Sequence, residues 1–210
     1  MPKVNKREAK RVVKIVSEET QAMPSSKPHF NVEFAPGRFL VYSRFNERDL
    51  IHVREYVTMG ERTYPSKKGV CFTPGRLSAL MSKLAEIDEE REQQRVTAAA
   101  AAANAEPQQV SYKTHLGAGI YVEVASKFNG VDLRRYWAPK GQLSIVPTKN
   151  GLYLPASQWS SLKERLSELL AAHPELSTAE ECFHPNQIGF MDCPECLPFG
   201  WMLSSLNGLE

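Results

Sequence analysis

The chain lacks several things, and each absence removes a class of function. No stretch approaches the roughly 20 consecutive apolar residues that a transmembrane helix needs, so the sequence predicts no membrane partner. The start of the chain has no apolar core of the kind a secretory signal carries. Cysteine is scarce, with 4 in 210 residues, and three of them, Cys182, Cys193 and Cys196, crowd near the C-terminus. That usage suits a reducing, intracellular compartment better than a disulfide framework. There is no phosphate loop, no Ser/His/Asp order and no pair of carboxylates in a motif context, so the expectation is a protein that is not an enzyme. The formal net charge is only +2, so the chain as a whole is no polycation.

Charge is unevenly spread, and that says more than its sum. Lys3, Lys6, Arg7, Lys10, Arg11 and Lys14 face only Glu8 within residues 3–14, whereas no Lys or Arg follows Glu168. A basic front and an acidic back suit a protein that meets a polyanion with one part of itself. Residues 1–29 read as a basic arm with a helical stretch from Lys6 to Met23, ended by Pro24 and Pro28. Its alternatives are a solvated tail, an electrostatic arm for phosphates, or a nuclear-import signal through Lys6-Arg7 and Lys10-Arg11.

Two stretches share one grammar of short alternating strands followed by an amphipathic helix. In the later stretch, Ile120 to Val124, Leu133 to Trp137, Leu143 to Val146 and Leu152 to Leu154 read as four strands. Gly130, Lys140-Gly141 and Asn150-Gly151 supply the turns. Trp159, Leu162, Leu166 and Leu169 then recur at helical spacing. Leu77, Leu80, Leu84 and Ile87 each stand 82 positions earlier, as do Pro65, Lys67 and Gly69 before Pro147, Lys149 and Gly151. Arg54 and Tyr56 match Arg134 and Tyr136 at an offset of 80, and Phe45 matches Phe128 at 83. An ordered series of this kind is an internal duplication, with offsets that change only between strands, where insertions are tolerated.

The predicted organisation is therefore a basic arm (1–29), a first unit (30–95), an Ala-rich linker (96–118), a second unit (119–172) and an acidic tail (173–210). Phe30 to Phe34 adds a lead-in strand to the first unit. Thr73-Pro74 starts its helix, which six alanines at 98–103 extend until Asn104 and Pro107 stop it. About 15 residues, reaching roughly 50 Å at most, then let the second unit fold back so that the two matched helix stripes pack together.

Both units resemble the single-stranded DNA-binding domain of the transcriptional coactivator family called positive cofactor four. The resemblance rests on Leu50-Ile51-His52-Val53-Arg54-Glu55-Tyr56 with Pro65-Ser66-Lys67-Lys68-Gly69-Val70. In the second unit it rests on Lys127-Phe128-Asn129-Gly130, Arg134-Arg135-Tyr136-Trp137 and Gly151-Leu152-Tyr153-Leu154 through Gln158-Trp159. It covers about half of the chain. It implies an α+β fold: two tandem units, each a curved four-stranded antiparallel sheet plus a C-terminal helix, paired within one chain as a pseudo-dimer rather than as a homodimer. It also implies single-stranded DNA as partner, a nuclear setting, and contacts with transcription or replication proteins.

Unpaired DNA offers free base faces and a flexible phosphate chain, so its binder wants aromatic platforms beside cations. Carried onto this sequence, the motif marks Phe128, Trp137, Arg134 and Lys149 in the second unit, where Lys127 lies beside the same strands, and the first unit keeps Phe45, Arg54, Lys67 and Lys68. The first unit departs at Val57, where a tryptophan is expected, and at Leu77 in place of the helix tryptophan. Stacking is therefore expected mainly from the second unit and charge from the first. Tyr56, Tyr136 and Trp159 are expected in the core. The rival reading is an interaction module that kept the fold and lost DNA binding, which Val57 and the acidic tail favour. In that tail, Cys182-x-His184 and Cys193-Pro-Glu-Cys196 form a candidate Zn2+ set, the alternative being reduced thiols in a tail that docks through its aromatic residues.

Overall fold

The computed structural model describes residues 28–60, 62–104, 111–125, 129–137, 145–179 and 181, the side chains of 62 and 98–104 excepted. Residues 1–27 of the basic arm, Lys127, Phe128 and the four candidate zinc ligands lie outside the described residues.

Two four-stranded antiparallel sheets form, in strand orders β1-β2-β3-β4 and β5-β6-β7-β8. The first contains β1 (Phe30–Ala35), β2 (Arg38–Phe45), β3 (Arg48–Met59) and β4 (Arg62–Phe72). The second contains β5 (Ser111–Gly117), β6 (Ile120–Ala125), β7 (Gly130–Trp137) and β8 (Val146–Pro155). Helices α1 (Pro74–Ser82) and α2 (Leu84–Asn104) follow the first sheet. Helix α3 (Ala156–Ala172) follows the second, and a short 3-10 turn at Pro174–Ser177 ends the described part. No helix of the described residues is long and apolar enough to cross a membrane.

The two units share details of their backbones. Gly37 and Gly119 both take positive φ, +69° and +74°, in the first hairpin of each sheet. Their carbonyls accept the amides of Tyr56 and Tyr136, each at 2.7 Å. A register shift follows Arg54 in one sheet and Arg134 in the other. Opposite these arginines stand Gly69 and Gly151. A Cβ there would come within 2.6 Å of the Val53 carbonyl oxygen or 2.7 Å of that of Leu133, closer than backbone can yield. The two glycines thus let neighbouring strands approach where the sheets are irregular.

Three sequence expectations change. Asn150-Gly151 does not turn the chain: β8 runs unbroken through it. The turn signal marks the irregular segment instead, where the Asn150 amide donates to Thr148 Oγ1 at 3.1 Å and the ladder jumps from Gly151 to Pro147. The lead-in strand of the second unit, β5, falls inside the stretch expected to be linker. Its Lys113 and His115 interrupt the apolar pattern, although His115 is only 5% exposed. The first helix is broken at Lys83, whose amide returns to the Leu80 carbonyl at 3.2 Å, and α2 continues from there to Asn104.

The helices lie between the sheets and cover each other's units. Helix α3 packs on β1 and β2 as well as on β7 and β8. Helix α1 packs on β5 besides β3 and β4, and α2 packs on β6, while β4 runs beside β8. One continuous core results, joining Leu40, Ile51, Phe72, Leu77 and Leu80 to Val122, Leu133, Leu154, Trp159 and Leu166. The matched helix stripes are spent largely on strands rather than on one another. The direct link between α2 and α3 is polar: Trp159 Nε1 donates to Asp88 Oδ1 at 2.7 Å, and Lys163 Nζ binds the other carboxylate oxygen. Burial alone would raise the Asp88 pKa, but these partners hold it below the usual range. Arg38 Nη1 reaches across to the Tyr153 carbonyl at 2.8 Å and to Gln158 Oε1 at 2.5 Å. The helix Gln-Trp pair therefore fastens the two units together.

Candidate nucleic-acid interface

Alternation along a strand sends Ile51 and Val53, or Val131 and Leu133, to the helices. It sends His52 and Arg54, or Asp132 and Arg134, to the uncovered face. In the second unit that face is a groove of about 460 Å3, lined by Glu123, Asp132, Arg134, Tyr136, Lys149 and Tyr153 among others.

Arg134 sits in the groove with its guanidinium already bound on two sides. Nε and Nη2 meet the two Asp132 oxygens at 3.0 Å each, a bidentate pair, and Nη1 donates to the Thr148 carbonyl at 2.8 Å. Asp132 holds the Arg134 pKa above its ordinary value. Arg135 is exposed. Glu123 stands in the same groove, accepting from the Tyr136 hydroxyl and from Ser111 at 3.0 Å, with Lys113 Nζ at 3.3 Å. Burial works to raise the Glu123 carboxyl, yet these partners keep it below the usual range. The Lys113 ammonium also lies 4.4 Å from the centre of the Tyr136 ring, a cation–π arrangement. Trp159 is buried in the core as expected, whereas Tyr136, although little exposed, lines the groove instead of joining the core, and Tyr56 is half-buried with its ring edge-on to Phe39 at 5.1 Å.

The first unit repeats the scaffold with other groups on it. Arg54 Nη1 donates to the Ser66 carbonyl at 2.7 Å, the counterpart of the Thr148 contact. No carboxylate pairs with Arg54 among the described residues. In place of Asp132 stands His52, whose Nε2 is 3.9 Å from Cys71 Sγ and whose imidazole is pushed down to about 4, by burial first and then by Arg54. Val41 occupies the position of Glu123. Lys67 and Lys68 are exposed in the irregular segment of β4. Lys68 Nζ pairs with Glu55 at 2.9 Å, and Lys67 has no ion pair among the described residues. Phe45 closes β2 at the hairpin tip, 38% exposed.

Beyond these faces, β3 with β4 and β7 with β8 continue as two-stranded ribbons. There Val57 stands opposite Tyr64, and Trp137 opposite Val146. Trp137 is 55% exposed and Tyr64 47%. Arg54, Lys67 and Lys68 thus gather at one irregular corner of the first sheet, and Arg134 and Lys149 at its counterpart. Phe45 and Trp137 stand apart from them, at strand ends. Asp132, Glu123 and Tyr64 are absent from the sequence-based set. The repeat offset places Tyr64 on Val146, and only the ladder pairs Val146 with Trp137.

Searches among curated proteins and among solved structures return no match. Residues 36–83, which run from the hairpin before β2 to the end of α1, match the family model described as Transcriptional Coactivator p15 (PC4).

Proposed function

We propose that the protein binds single-stranded DNA on the uncovered sheet faces and their ribbons, and acts in transcription, replication or repair within the nucleus. The observation that carries this reading is the repeated corner where an arginine, fixed by a backbone carbonyl, stands beside exposed lysine on an irregular strand. The family match to the first unit supports it. A bulged strand with cations turned outward can follow the phosphates of a flexible chain, and aromatic rings on the ribbons can receive bases in any order. Arg54, Lys67, Lys68 and Lys149 are the proposed phosphate contacts, with Phe45 and Trp137 as stacking surfaces. Arg134 belongs to the same set once it leaves Asp132. Lys127 and Phe128 complete the proposal from outside the described residues. A role for Cys182, His184, Cys193 and Cys196 in holding Zn2+ remains a proposal that elemental analysis of the purified protein tests.

The test is fluorescence anisotropy with a labelled single-stranded oligonucleotide at two salt concentrations, repeated with duplex competitor. Binding that falls with salt and survives duplex competition is expected. Arg54→Ala should lower the slope of log K against log salt by about 0.7, the value for one phosphate contact on a single strand. No binding at low salt overturns the reading. That result would favour the second one, an interaction module for transcription or replication proteins. The observation behind that alternative is the pair of carboxylates, Asp132 and Glu123, on the face of the second unit.

A further inference from the structure

The first unit has a valine, Val57, where its repeat has Trp137. On sequence alone this half keeps Phe45 but loses one stacking platform. The ladder restores it. Val57 pairs directly with Tyr64, and Trp137 pairs directly with Val146, at equivalent places in the two sheets. Residues directly opposite in an antiparallel pair leave the ribbon on the same side, with Cβ atoms about 5 Å apart. Each ribbon therefore offers one aromatic ring beside one valine, with the two side chains exchanged between the strands.

We propose that Tyr64 is a base-stacking residue of the first unit besides Phe45, replacing across the ladder the tryptophan for which Val57 stands. The inference rests on the single-stranded DNA reading and deepens it, because it assigns a further platform to the half from which mainly charge was expected. Three observations support it. Tyr64 is 47% exposed and Val57 42%, and both stand past the last residue of β3 that pairs with β2. The ribbon beneath them is braced: Tyr56 N donates to the Gly37 carbonyl at 2.7 Å at its base, and the Thr58 and Thr63 hydroxyls bond across it at 3.2 Å. A platform fixed in this way loses little freedom when a base settles on it. Finally, Tyr64 is joined through Pro65 to the segment of Ser66, Lys67 and Lys68, so ring and cations lie within one short stretch of β4. Lys68 is held by Glu55, and Lys67 has no ion pair among the described residues; an aromatic next to such cations is the pairing that unpaired DNA requires. A purely apolar protein partner would make no use of Lys67.

The experiment uses the full chain and a labelled oligo(dT), with urea unfolding to show that each variant is folded. Tyr64→Val should weaken binding roughly 5- to 100-fold, the range for one stacked base, with the salt slope unchanged. Tyr64→Phe should bind like the parent. The decisive variant combines Val57→Trp with Tyr64→Val, which gives the first ribbon the arrangement of the second. It should recover affinity to within about 3-fold of the parent. Iodouracil placed in the oligonucleotide should cross-link to Tyr64. If Tyr64→Val binds like the parent while Trp137→Ala is weakened, Tyr64 is no platform and the single-stranded DNA reading stands without it. If Tyr64→Val loses affinity and the exchange variant does not recover it, the equivalence across the ladder is wrong. If the parent does not bind oligo(dT) at low salt, both readings fall.

Discussion

The two uncovered faces share a backbone and differ in charge. At one position the first sheet has a half-buried imidazole, His52, whose pKa is pushed down to about 4, and the second has a carboxylate, Asp132; one strand over, Val41 answers Glu123. Among the described residues the first arginine is left with a backbone carbonyl alone, and the second is locked into a bidentate pair. A polyanion approaching the first face meets a cation that no carboxylate pairs with among the described residues. On the second it must displace Asp132 or settle for Lys149 and the ribbon. The second unit carries the fuller set of aromatic motif residues, yet its electrostatics suit phosphate less well, and the family match falls on the first.

The largest effects should come from the shared core, where the halves ought to behave alike. Trp159 and Leu77 occupy the same place in the repeat and both are fully buried. Trp159→Ala should cost about 3–5 kcal/mol and Leu77→Ala about 2–5 kcal/mol, measured as a shift in urea midpoint. A much smaller cost for Leu77→Ala would show that the first unit's helix is not an equal partner.

A smaller effect should separate the halves by pH. The folded-state pKa of His52 is depressed to about 4, against about 6.5 unfolded. The unfolded chain therefore binds the extra proton first as pH falls. The stability that neutral His52 contributes is complete above pH 6.5 and is lost on descending to pH 4, by about 3 kcal/mol at most. His52→Gln should flatten the pH dependence of the urea midpoint in that window. An unchanged slope would remove the imidazole as its source.

The smallest and sharpest effect concerns the faces themselves. Asp132→His gives the second sheet the residue of the first and frees Arg134. Oligonucleotide affinity at low salt should rise roughly 5-fold, with a salt slope steeper by about 0.7 for the added phosphate contact. Unchanged affinity would mean that the second face takes no part in binding.

Much of the fold was legible in the sequence because the duplication supplied two readings of each element. The helix stripes, the strands around Arg54 and Arg134, and the paired architecture follow from residues whose burial dictates their spacing. What escaped depends on contacts across space. Strand β5 carries Lys113 and His115 on its uncovered side, where Glu123 and Tyr121 accommodate them, so its apolar period is broken. Asn150-Gly151 has turn chemistry but lies opposite Arg134, where the sheet needs a residue without Cβ rather than a reversal. The bond between Asp132 and Arg134 joins residues two apart, a proximity that only a strand makes useful. The place of Tyr64 was hidden because a ladder partner is invisible until the register is known.

The reciprocal covering of each sheet by the other unit's helix bears on how the chain can vary. In a two-fold assembly of identical subunits, every substitution appears in duplicate, so a change that suits one surface is imposed on its mate. Here the fastening of Arg38 to Gln158 and of Asp88 to Trp159 and Lys163 joins two unlike halves, and each position occurs once. A carboxylate can enter one face while the other stays basic, and an aromatic can cross a ladder on one side only. The shared core holds the halves together while their surfaces specialise independently.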